Sequence, residues 1–142
     1  HWFFLIQKYP LPEKLIEANS EFYLKTKLKM WGNTKSFIEP KAMKEYLRCF
    51  AKKTTIHASC EDYRAAASID IMHHKQDKEK KITCPVLILW GKKGTIEKLY
   101  NPIRIWKKWA SDVTGYSINC GHFLPEEKPK EVMVAIQKFF MN

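Results

Sequence analysis

Only two stretches of this 142-residue chain read as fully buried strands, and that scarcity limits what it can fold into. The first runs from Ile82 to Trp90, an apolar run bounded by charge on one side and Gly91 on the other. The second, Tyr116 to Asn119, ends at Cys120-Gly121. A continuous apolar run of this length suits a parallel sheet that is covered on both faces. Two parallel strands cannot bury both faces with a lone pair of helices. The chain is therefore expected to hold part of an α/β fold whose sheet is completed by residues outside it.

Apolar content is not what is lacking. Hydrophobic residues make up 45% of the chain, with five Trp and eight Phe, which excludes a disordered composition. Basic residues number 25 against 15 acidic ones, a formal charge of +10. The excess is even: 15 basic and 10 acidic residues in positions 1–80, 10 and 5 in positions 81–142, so each part carries +5. Lysines such as Lys25, Lys27 and Lys29 are spread over helix surfaces. No zinc-finger spacing, RNA-binding aromatic motif or recognition helix accompanies them, so a specific nucleic-acid partner is not expected. Cys49, Cys60, Cys84 and Cys120 are spaced by 11, 24 and 36 residues, which fits no metal motif. Cys84 and Cys120 lie in apolar strand contexts and read as small core residues. A reducing, cytoplasmic setting is expected, and no membrane partner is expected, since no apolar run approaches the length of a span. The opening His1-Trp2-Phe3-Phe4-Leu5 is an aromatic cluster that ought to be buried, an unusual natural N-terminus.

Periodicity divides the chain into a helical region, 1–80, and a strand-helix region, 81–142. Pro12 suits the first turn of a short helix through Ile16. Ser20 is placed to cap the next, with Tyr23 or Leu24, Leu28 and Trp31 as its buried stripe and Gly32-Asn33 as its stop. Pro40 begins a helix carrying Met43, Tyr46, Leu47 and Phe50. Ser59 and Asp62 resemble a capping box that opens a helix through Asp70. Beyond Lys81, Pro102 starts a helix with Ile103, Trp106 and Ala110. Pro129 precedes another, with Val132, Met133, Ile136, Phe139 and Phe140 on its inner side. Strand, helix, strand, helix predicts a parallel sheet edge with crossover helices.

In open α/β sheets function collects beyond the carboxyl ends of the strands. His122 stands there, after a glycine that permits a tight turn, and an imidazole takes and returns protons near neutral pH. A loop histidine bonded to backbone is the plainer alternative. Glu126 and Glu127 follow, and the favourable charge of a carboxylate at a helix start accounts for them equally well. His57, His73 and His74 carry less weight, because adjacent helical histidines diverge and no spaced carboxylate set accompanies them. No metal ligand set is assigned.

The motifs His1-Trp2, Tyr9-Pro10-Leu11-Pro12-Glu13 and Glu45-Tyr46-Leu47-Arg48-Cys49-Phe50 resemble those of a known family. So do Thr55-Ile56-His57-Ala58, Cys60-Glu61-Asp62-Tyr63-Arg64-Ala65-Ala66-Ala67 and Cys120-Gly121-His122-Phe123-Leu124-Pro125-Glu126-Glu127. Together they are similar to the C-terminal half of the haloacid-directed α/β-hydrolases, the fluoroacetate (haloacetate) dehalogenases. The resemblance implies a partial α/β-hydrolase fold, a helical lid over 1–80 followed by the last strand-helix units of the core over 81–142. It implies hydrolysis of a small 2-haloacid through an aspartyl ester, without a cofactor. His122 matches the base that activates water. His1, Trp2 and Tyr63 match lid donors to the departing halide, and Trp31 either lines the same cavity or packs in a core. For these lid residues the plainer readings are an exposed His1, a Trp2 covering an apolar seam and a packed Tyr63.

The turn Gly91-Lys92-Lys93-Gly94 has no acid where many α/β-hydrolases place the partner of their histidine. The resemblance implies that this acid, the nucleophile and the carboxylate-binding arginines all lie upstream, in an N-terminal half that is the chain's expected partner. Without that half the chain is expected to be inactive. A homodimer is left open. The enzymatic alternative is an epoxide hydrolase-like protein, which shares the ester and histidine steps but uses lid tyrosines on the epoxide oxygen. A non-catalytic binding or scaffold fragment is the alternative of a different class.

Overall fold

The structure, a computed structural model, describes residues 1–33 and 37–141. Six helices come first: α1 (Trp2–Leu5), α2 (Leu11–Ala18), α3 (Ser20–Trp31), α4 (Pro40–Phe50), α5 (Lys53–Ala66) and α6 (Ile69–Gln76). Strand-helix units follow as β1 (Val86–Gly91), α7 (Thr95–Leu99), α8 (Pro102–Trp106), β2 (Val113–Ile118), α9 (Leu124–Glu127) and α10 (Pro129–Met141). Contacts group these into two compact units, His1–Lys27 with Pro40–Glu79, and Leu28–Glu39 with Lys80–Asn142.

In the first unit Leu5, Ile16, Ile56 and Cys60 form the core, with Phe4, Tyr23, Phe50 and Tyr63 packed against it. Pro12 sits in the first turn of α2, where its missing N–H costs nothing. Asn19, not Ser20, caps α3: its side-chain oxygen accepts the Phe22 N–H at 3.1 Å, and Ser20 is already helical. The capping box expected at Ser59 is not used. Ile56 and Cys60, four residues apart and both fully buried, extend one apolar face upstream, so α5 begins at Lys53. Ser59 is then interior, and its hydroxyl donates back to the Thr55 carbonyl at 2.9 Å.

The second unit is built on β1 and β2, which pair in parallel from Val86↔Val113 to Gly91↔Ile118. The first strand starts later than its apolar pattern suggests. Ile82 makes only an isolated bridge to Ala110, and regular pairing begins after Pro85, which has no N–H to donate. Cys84, in that break, is exposed, a correction to its reading as a core residue, whereas Cys120 is buried. The second strand starts earlier than expected, at Val113, and runs through Gly115. A Cβ on Gly115 would lie 2.1 Å from the Ile88 carbonyl oxygen, so glycine allows the close approach of the two backbones.

Between the strands, Asn101 accepts the Arg104 N–H at 2.9 Å and Pro102 opens α8. On α10 the covered side is narrower than the sequence suggests. Ala135 is buried with Val132 and Phe139 half-buried, while Met133, Ile136 and Phe140 are exposed. The arrangement is an α/β fold, a helical region followed by parallel strand-helix units. No helix among the described residues is long and apolar enough to cross a membrane.

Candidate active site

The loops that follow the two strands are tied together at the strands' carboxyl ends. Lys92 N–H donates to the Ile118 carbonyl at 2.8 Å and Lys93 N–H to the Cys120 carbonyl at 2.9 Å. Gly91 is buried so closely that a Cβ there would lie 1.7 Å from the Gly121 oxygen. Glycine at 91 is therefore a condition for the turn that carries His122.

That turn has few degrees of freedom. His122 N–H donates to the Trp31 carbonyl at 3.1 Å. Glu127 receives the amides on either side, Gly121 at 2.8 Å and Phe123 at 3.3 Å, and also Asn33 at 3.3 Å. The imidazole lies edge-on to Trp31, ring centres 5.2 Å apart at 69°, and to Phe123 at 5.0 Å and 86°. Phe123 in turn stacks on Phe37 at 5.5 Å. One face of His122 is thus set by aromatic packing while the residue itself stays exposed.

His122 lines a half-open cavity of about 530 Å³ with Trp31, Asn33, Lys93, Thr95 and Gly121. An aromatic wall, a cation and an imidazole suit a small polar substrate more than an extended apolar one. Among the described residues no carboxylate bonds the His122 ring. Glu97, the first acid after the Gly91 turn, accepts from the Trp90 indole N–H instead.

In the first unit the structure brings His1 and Tyr63 together, their rings 5.2 Å apart and edge-on at 85°. Tyr23, which sequence reasoning treated only as packing, joins them: its hydroxyl lies 3.2 Å from His1 Nδ1. Its ring stacks on Phe50 at 6.0 Å and 5°. Burial, with smaller contributions from Cys60 and Tyr63, pushes the Tyr23 hydroxyl up to about 12, so it stays a neutral phenol. Trp2 makes its ring contact with Phe3, at 5.7 Å, and is 42% exposed.

A second polar group of this unit went unread in the sequence. Glu13 is 1% exposed and both its oxygens meet Arg64, at 2.7 and 3.1 Å. Arg64 also donates twice to the Gln7 carbonyl, at 2.9 and 2.6 Å, and pairs with Glu61. The Arg64 guanidinium holds the Glu13 carboxyl at about 2, against the opposing effect of burial. His57 approaches the same oxygen at 3.2 Å. Glu13, His57 and Glu61 place their ligand atoms within 4.8 Å of one another, yet Arg64 binds both acids, so this is an arginine-centred cluster. The available signal was Glu13 and Arg64 in two motifs of one unit, but a separation of 51 positions along the chain hid the contact.

No protein-family model matches the chain. It is similar to a fluoroacetate dehalogenase from Burkholderia sp, 30% identical over 143 residues that cover 100% of this chain and 47% of that protein. The crystal structure of a candidate α/β hydrolase from Nostoc sp PCC 7120 superposes with a TM-score of 0.96 at 54% identity, covering 99% of this chain and 48% of that one. A candidate epoxide hydrolase from Pseudomonas aeruginosa, solved in one form with bound MFA, matches with a TM-score of 0.91 at 36% identity, covering 99% and 48%. The chain spans about half the length of these relatives.

Proposed function

We propose, for a chain that carries the α/β-hydrolase superfamily fold and is related to both dehalogenase-like and epoxide-hydrolase-like proteins, a share in the two-step hydrolysis of a small electrophile. An upstream aspartate carboxylate attacks a substrate carbon and becomes an ester, as either the carbon–halogen bond breaks and halide leaves or the epoxide C–O bond breaks and its oxygen takes a proton from a donor. His122 then takes a proton from water as the water oxygen attacks the ester carbonyl, and returns it to the departing alkoxide, which leaves as an alcohol and restores the aspartate. The observation that carries this reading is the His122 turn, an imidazole at the carboxyl ends of parallel strands in the wall of a small cavity. No cofactor has a part in these steps.

Two substrate classes fit. The solved relatives favour an epoxide, and the phenols Tyr23 and Tyr63 beside His1 are donors suited to an epoxide oxygen. A haloacid such as fluoroacetate is supported by the same His1-Trp2 and Tyr63 motifs, whose N–H and O–H groups suit a departing halide. Trp31 serves either class as the wall beside His122.

The test uses the full-length protein with His122→Ala, exposed in parallel to fluoroacetate and to a small terminal epoxide. Intact-protein mass spectrometry is expected to show a covalent ester that accumulates with one class and is not hydrolysed, its mass naming that class. Normal turnover without an adduct would place the base elsewhere.

A further inference from the structure

The turn that carries His122 is held by a carboxylate whose position a helix dipole does not explain. Glu127 is the last residue of the four-residue α9, and its oxygens are committed upstream rather than to the first turn of α10. One oxygen accepts the Gly121 and Asn33 amides, at 2.8 and 3.3 Å, and the other accepts Phe123 at 3.3 Å. With His122 N–H on the Trp31 carbonyl, three successive amides are pinned, the outer two by one side chain. Gly121 makes room for it: a Cβ there would lie 2.6 Å from both the Asn33 nitrogen and a Glu127 oxygen. The adjacent Lys128 pairs with Glu131 at 3.0 Å and so does not take the carboxylate away.

We infer that Glu127 is the positioning residue of His122, clasping both flanks of its turn and tying them to the Asn33 backbone just beyond α3. The inference rests on His122 as the water-activating base and deepens that reading. The chemistry asks for a carboxylate specifically. Three N–H donors converge on two oxygens, and an amide in the same place presents one oxygen and one NH2, which would face at least one donor with another. Charge-assisted bonds to backbone amides are also the stronger kind. A near-isosteric Glu127→Gln therefore keeps the packing and opens the clasp.

The experiment measures two things on full-length wild type and Glu127→Gln. Backbone amide exchange at Gly121 and Phe123 is expected to accelerate on the order of tenfold, while Leu89 within β1 is unchanged. After exposure to the electrophile that labels His122→Ala, the ester is expected to form at the wild-type rate and to break down roughly a hundredfold more slowly. Glu127→Ala, with both oxygens removed, gives the same comparison should Glu127→Gln fold poorly. Unchanged exchange at Gly121 and Phe123 overturns the clasp. Accelerated exchange with formation and breakdown slowed equally overturns its coupling to His122. Wild-type protein that forms and releases no ester sinks the hydrolytic reading, and the exchange result then decides the clasp alone.

Discussion

Replacing Arg64 by Met is expected to be among the most damaging single changes in the first unit, through a charge it leaves behind. The substitution keeps an apolar stem of similar length and removes the guanidinium that serves both oxygens of Glu13 and the Gln7 carbonyl. Glu13 is 1% exposed, so its carboxylate has almost no water to turn to, and His57 offers a single contact at 3.2 Å. Holding that carboxyl at about 2 rather than its ordinary 4.5 corresponds to a preference of about 3 kcal/mol for the charged form. Breaking a buried pair by removing one partner costs about 3–5 kcal/mol, which sets the expected loss at neutral pH. The partly exposed Glu61 contact adds little, roughly 0–1 kcal/mol.

The loss should depend on pH in a direction that identifies its cause. In the wild type the Glu13 value is depressed, so its contribution is complete above about 4.5 and fades as pH falls toward 2. In Arg64→Met burial acts without its counterweight and raises the Glu13 value. The variant then recovers stability as pH falls and Glu13 takes up a proton. Urea unfolding of the full-length protein, followed at pH 7 and pH 4, is expected to show a large difference that narrows in acid. A difference below about 1 kcal/mol at pH 7, or one that does not change with pH, would refute the reasoning.

Tyr63→Phe should leave stability within about 1 kcal/mol, because the ring stays packed on the core, and under the proposed haloacid reading it should slow defluorination of fluoroacetate more than dechlorination of chloroacetate. Equal losses in paired halide-release assays would remove Tyr63 from halide stabilisation. Gly91→Ala would place a methyl group against the Gly121 carbonyl and is expected to destabilise by about 1–3 kcal/mol, with amide resonances at Gly121 and His122 displaced. Unchanged resonances in that loop would mean the two turns are not locked together.

The elements that the sequence alone determined are those whose cause lies within a few residues. Two apolar runs ending in glycine specify two strands, and Pro40, Pro102 and Pro129 mark helix starts because a first-turn position needs no N–H. His122 was legible for the same reason, as the one imidazole at a strand-to-turn boundary. What the tertiary structure decided depends on residues far apart in the chain. Whether α5 begins at Ser59 or Lys53 rests on Ile56 and Cys60 being drawn into a core with Leu5 and Ile16. Local pattern favours a cap at Ser59, and burial overrides it. Met133, Ile136 and Phe140 are apolar, but only packing against β1 selects Ala135 as the covered residue of α10. The pairing of Glu13 with Arg64 and the grip of Glu127 on Gly121, Phe123 and Asn33 are likewise invisible to periodicity. A hydrogen bond is directional and short, so its partner is fixed only once folding has placed donor and acceptor within about 3 Å of each other.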